Sequence, residues 1–241
     1  MKKIMALTIF DMKYFYRDFM LIVAIIAPFL LALLFRFGIP AFATFIEDKI
    51  VFQPELYTEL FALILLLTVP VMLGMFAAFV ILDEQDENLL MYMAVTPLSQ
   101  RGYLIYRLGG PVLISTCLSV TALFLAGYQS VISAYTMPVI LFSGIEAPLV
   151  TLFIISFAKN KVEGLAVAKA ASVLLLVPFL YYFVSGNWKY LGGLLPPFWI
   201  AAAFFTGIQS SLSLTIVNLI IAACTHALAI FLLYKRFASI Q

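Results

Sequence analysis

The chain has 241 residues, 65% of them hydrophobic and only 11% charged, and a mean hydropathy of +1.12. Soluble domains carry roughly 25% charged residues, so a water-soluble fold is excluded and most of this surface must face a lipid membrane. The net charge of +2 gives no reason to expect nucleic acid. The length accommodates several spans of ~20 residues but no soluble domain beside them, so one membrane domain over 1–241 is expected.

Lys2 and Lys3 are not followed by a short apolar core with a small-residue cleavage site, so no cleaved leader is expected. ALTIFDMKYFYRDF, Ala6 to Phe19, mixes apolar and aromatic residues with Asp11, Lys13, Arg17 and Asp18. It predicts an amphipathic helix in the membrane interface, in preference to a water-exposed extension of the first span. Six apolar runs follow, roughly Met20–Phe37, Thr58–Leu82, Leu108–Gly127, Ala134–Ala158, Leu165–Val184 and Leu212–Tyr234. Each reaches or approaches the length needed to cross a bilayer, and helices keep the backbone polar groups satisfied there. The fold class is therefore all-α and integral to the membrane, with six transmembrane helices. Pro28, Pro70, Pro148 and Pro178 fall inside runs and predict local kinks.

The connections differ in character. Gly38–Tyr57 reads as a loop carrying Glu47, Asp48 and Glu55. Behind the second run, Asp83, Glu84, Asp86 and Glu87 place four of the twelve acidic residues within five positions. DENLLMYMAV then sets Glu87, Leu90, Met91 and Ala94 at helical spacing. Thr96 is a good N-cap and Pro97 a good first helical residue for a second helix leading into the third span. A solvated connector would be less apolar than this helix–break–helix elbow, and an exposed apolar cluster marks a partner surface. GLAVAKAAS, Gly164–Ser172, and AAAFFTG are small-residue surfaces that let helices approach closely in lipid. Gly186–Ser211 contains GNWKYLGGLLPPFW, which predicts a broken, membrane-embedded segment including Leu195, Pro196, Pro197 and Trp199. A simple outer loop is the alternative.

Basic residues set the orientation. With both termini cytoplasmic, Lys2, Lys3, Lys13, Arg17, Arg101, Arg107, Lys159, Lys161, Lys169, Lys235 and Arg236 lie inside. Only Arg36, Lys49 and Lys189 lie outside, eleven against three. Tyr57, Tyr128, Tyr135, Tyr181, Tyr182 and Trp188 then cluster at the outer ends of the spans, as interfacial aromatics do.

Catalytic signals are weak. His226 is the only histidine, which rules out a two-histidine zinc motif, and no glycine is followed by lysine, which rules out a P-loop. No serine elbow supports a nucleophile, so this chain is not expected to be an enzyme or to hold a metal or cofactor. Cys117 and Cys224 lie in apolar runs and act as small hydrophobes. Glu146, well inside the fourth run, is a functional candidate by default. A packing hydrogen bond to a neighbouring helix explains it as well as transport does. His226 reads more simply as a satisfied bundle histidine; both facing one cavity would make a proton-coupled carrier plausible.

Three stretches resemble the six-span permease subunits of ABC-2-type transporters: LDEQDENLLMYMAVTPLSQRGYLIYR, FAKNKVEGLAVAKAASVL and LGGLLPPFWIAAAFF, in the family's order. The resemblance implies an export permease that pairs as a homodimer or heterodimer, each dimer binding two separate cytosolic ABC ATPase subunits that hold ATP and Mg. It implies that loop 83–107 is the coupling element, with Asp83, Glu84, Glu87, Leu90, Met91, Thr96 and Pro97 forming it. It also implies that the 186–209 region is a re-entrant segment, and that drug or antimicrobial-peptide exporters are the nearest kind. The competing readings are a proton- or ion-coupled secondary carrier using Glu146, with or without His226, and a non-transporting membrane sensor or assembly factor.

Overall fold

A computed structural model describes residues 19–47, 52–87 and 99–240, all helical or in short turns. The expected interfacial helix and the expected elbow residues Leu90, Met91, Thr96 and Pro97 lie outside these residues. The described elements are α1 (Phe19–Leu33), α2 (Ile39–Ile46), α3 (Thr58–Asp86), α4 (Ser99–Ala126), α5 (Met137–Ser143), α6 (Glu146–Phe157), α7 (Lys161–Ala171), α8 (Val177–Phe183), α9 (Pro197–Ile208) and α10 (Leu212–Ile240). They supply six stretches long and apolar enough to cross a membrane.

The structure departs from the sequence reading at several span ends, most at the end of the first span, and inside two spans. The first span does not end at Phe37. A π-turn, Leu34–Gly38, joins α1 directly to α2, and the apolar helix runs on to Ile46. Gly38 and Pro40 read as loop residues, but proline fits the first turn of a helical segment, where its missing N–H bonds nothing. Arg36 consequently sits within the span instead of outside it, donating to the Leu125 carbonyl at 3.0 Å. The fourth and fifth spans are each interrupted. α5 gives way to α6 at Gly144–Ile145, and a 3-10 stretch, Ser172–Leu176, separates α7 from α8. Pro148 and Pro178 fall in the first turns of the helices that restart, while Pro28, Pro70 and Pro111 are carried inside continuous helices.

α3 and α6 form the centre. They pack on each other, α4 covers both, and α10 closes on α6 and α9. The α5–α6 span is mostly buried within the bundle, while the α10 span is mostly exposed along its outer face. Lipid is as apolar as leucine, so close van der Waals contact holds such a bundle together, and small residues sit at the seams. Gly74 of α3 marks the central seam: a Cβ there would lie 2.5 Å from the Ala147 carbonyl oxygen. Thr151 Oγ1 donates to the Gly74 carbonyl at 2.9 Å across the same seam. Gly164 of α7 approaches Leu82 as closely, and Ala201, Ala202 and Ala203 of α9 are buried.

Candidate functional site

The fourth span breaks because Gly144 must pass against α4. A Cβ there would meet Thr116 Oγ1 at 2.3 Å and the Val112 carbonyl at 2.8 Å. The chain turns and restarts at Glu146, the first residue of α6. A carboxylate at a helix N-terminus is favoured by the helix dipole. Glu146 is nonetheless completely buried, with His226 of α10 at 1% exposure beside it. Their contact, Nε2 to Oε1, is 2.8 Å.

The second ring nitrogen settles the proton count. Nδ1 lies 2.7 Å from the Ala222 carbonyl, which only accepts, so Nδ1 carries a hydrogen and donates it. The Nε2–Oε1 contact then holds one shared proton, in an imidazolium–carboxylate pair or in a neutral imidazole accepting from a carboxylic acid. Phe142 meets the imidazole edge-on, centroids 5.5 Å apart. Glu146 Oε2 is buried with no hydrogen-bond partner among the described residues. The two candidate pathway residues are thus brought together, although 80 positions separate them in sequence.

The acidic cluster behaves differently. α3 continues to Asp86, so Asp83 and Glu84 ride on its last turns and do not open a loop. Tyr103 donates to Glu84 Oε2 and Arg107 to Oε1, tying α3 to α4. Lys161 donates to Asp83 Oδ2 at 2.5 Å, tying α3 to α7. Glu87 is exposed at the end of α3. At the same end of the bundle, Ser156 donates to the Leu233 carbonyl at 2.9 Å and Arg236 Nε donates to the Ser156 carbonyl at 3.1 Å. The Arg236 guanidinium also covers Phe157. α7 starts there on a true cap: Asn160 accepts from the Glu163 N–H at 2.9 Å, and the Glu163 carboxylate accepts from the Lys159 N–H at 2.8 Å.

At the opposite end a 3-10 stretch, Gly186–Leu194, turns at Leu195–Pro196 into α9, whose first residue is Pro197. Trp199 reaches back to donate to the Gly193 carbonyl at 2.9 Å. Pro197 is buried, and Leu195, Pro196 and Trp199 are half-buried. Phe198 and Phe204 are fully covered, so this segment is packed into the bundle. Tyr182 donates to the Leu56 carbonyl at 3.1 Å close by.

The sequence reading missed Arg107, Tyr103 and Lys161 as partners of the acids. The available signal was that these groups crowd the starts of the spans that flank α3.

A family model described as Fluoroquinolones export permease protein Rv2686c-like matches residues 11–234. The chain belongs to that family. Two relatives in Mycobacterium tuberculosis are the fluoroquinolones export permease proteins MT2760 (strain CDC 1551 / Oshkosh) and Rv2686c (strain ATCC 25618 / H37Rv). Each is 30% identical over 198 residues, covering 81% of this chain and 79% of the relative. No solved structure matches the chain. This permease, with six membrane-crossing stretches and export permeases for relatives, is a multi-pass protein of the cell membrane.

Proposed function

We propose that the permease is the membrane subunit of an ATP-driven exporter, working as a pair of permeases on separate cytosolic ABC ATPase subunits. The second permease is an identical or a related chain, and fluoroquinolone-type drugs are the cargo, as in the relatives' names. In this reading ATP and Mg belong to the partner, in keeping with a sequence that has no P-loop. Orientation follows the basic residues of the sequence: eleven are assigned to the inner side and Arg36, Lys49 and Lys189 to the outer, and placing Arg36 inside the first span leaves that imbalance in the same direction. Both termini are then cytoplasmic.

One observation carries the coupling. The segment 88–98 joins α3 to α4, and the last turns of α3 are clasped to α4 through Glu84 and to α7 through Asp83. A push on that segment therefore reaches three spans together. In this reading Glu87, Leu90, Met91, Thr96 and Pro97 meet the ATPase, while Asp83 and Glu84 hold the root of the lever. The segment around Leu195, Pro196, Pro197 and Trp199 forms the outer, re-entrant part of the pathway.

The test is purification from native membranes followed by transport in inside-out vesicles. An ATPase subunit should co-purify, and norfloxacin should accumulate only with ATP. Glu87→Lys should weaken accumulation. Accumulation driven by a pH gradient without nucleotide would replace this reading with a secondary carrier. Partner binding with no transport would make the protein a sensor.

A further inference from the structure

We propose that Glu146 and His226 form a proton-binding site inside the bundle, with Glu146 Oε2 as the atom that takes up the exchangeable proton. The site is independent of which energy source drives transport.

Its position comes first. His226 lies midway along α10, and Glu146 lies midway along the α5–α6 span. Ionisable groups at that depth are costly, pair with one another, and are functional candidates for ion or proton pathways by default. Helices broken at mid-membrane are where transporters build substrate and ion sites. Here the break at Gly144–Ile145 lies beside Glu146, and the completely buried Oε2, with no partner among the described residues, gives the independent observation that something is to be bound.

The chemistry then narrows the ligand. A purely structural strut between α6 and α10 would satisfy both carboxyl oxygens, because a buried acceptor left unpaired costs more than a hydrogen bond returns. Both side chains are closed off from solvent, at 0% and 1% exposure. A proton needs no further room. The pair already holds one proton between Nε2 and Oε1 and, with Nδ1–H committed to Ala222, the next proton in has Oε2 as its open acceptor. Uptake converts imidazolium–carboxylate into imidazolium–carboxylic acid; one O–H bond forms and no bond to carbon changes. The site's charge rises from zero to plus one, which weakens the attraction between α6 and α10.

Few other groups compete. Gly74 of α3 lies beside Ala147, so Asp83 is roughly 14 Å and Glu59 roughly 22 Å further along that helix at 1.5 Å per residue. Beyond Arg107, α4 offers only Cys117; α10 offers only Cys224 before Tyr234; α5 and α9 offer nothing titratable. Both cysteines are exposed on the outside of the bundle. The charged residues of α7, Lys161, Glu163 and Lys169, are half-buried or exposed. Protons on the pair therefore belong to the two residues jointly.

Infrared difference spectra of the full-length protein in nanodiscs, taken over an acid titration, test the site. A carboxylic-acid band should grow on acidification in the wild type and be lost in Glu146→Gln. His226 is the only histidine, so nitrogen labelling of histidine reads the other half of the pair in the unsubstituted protein, even if Glu146→Gln fails to fold. Its ring signals should shift over the same titration. A carboxyl band and ring signals that both stay constant, or a band that persists undiminished in Glu146→Gln, would overturn the proposal. Neither readout requires an ATPase or a drug.

Discussion

The permease contains two kinds of acid–base contact, and they work under opposite rules. At one end of the bundle Asp83 meets Lys161, and Glu84 meets Arg107 and Tyr103, with the charged side chains partly exposed. At mid-span Glu146 meets His226, both closed off from solvent. In water, two charges gain little by meeting, because solvent served each almost as well. In the dry interior each group depends on its partner, since loss of one leaves the other without compensation. The rim contacts can therefore be made and broken during a transport cycle at small cost, whereas the mid-span pair must change its proton count or stay together.

The largest expected effect comes from breaking the dry pair. His226→Leu should cost about 3–5 kcal/mol by leaving the Glu146 carboxyl unpaired, read as a lower thermal midpoint in detergent. The double replacement Glu146→Leu with His226→Leu should recover most of that loss, because the cost belongs to the orphaned group and not to the contact. Glu84→Gln comes next. The side chains of Glu84 and Arg107 are 17% and 18% exposed, so the rim is half dry at this point. Losing a charged hydrogen-bond partner there should cost roughly 1–3 kcal/mol and loosen α3 from α4, read as faster proteolysis near residues 88–98. Asp83→Asn should sharpen the contrast. With its two side chains 36% and 40% exposed, this pair should contribute no more than about 1 kcal/mol and lose even that in high salt.

The smallest effect lies at the far end of the bundle. Burial pushes the Tyr128 hydroxyl up to about 12, so the folded state prefers it neutral. That preference is fully present below the ordinary value near 10 and is lost as pH rises through 12. Half exposed, it should shift alkaline unfolding only slightly, and Tyr128→Phe should remove the shift.

Much of the architecture was legible from residue type alone. Span number and approximate position follow from apolar length, because lipid tolerates few other chains. The interruptions were only partly legible. Gly38 and Pro40 look like a loop, yet a π-turn absorbs them, while the kinks expected at Pro148 and Pro178 are breaks that begin earlier, at Gly144–Ile145 and Ser172–Leu176. Periodicity within one segment cannot report these, since at Gly144 the cause is the α4 backbone. The same limit applies to the sites. Glu146 and His226 stood out because ionisable groups are rare in apolar runs, but their meeting depends on how α6 and α10 are turned toward each other. Asp83 and Glu84 were visible as a charge cluster, and only the packing of α4 and α7 supplies their cations.

The glycine at 74 has a mechanical consequence. With no side chain there, the backbones of α3 and α6 touch. Turning α3 by the ~100° between successive residues would drive Leu73 or Met75 into a space too small for a single methyl carbon. Axial rotation is closed, and so is sliding by one residue, but rocking about the point of contact is not. The two central helices are joined as if by a pin, and any rearrangement of the bundle that keeps this contact has to swing the outer spans about it.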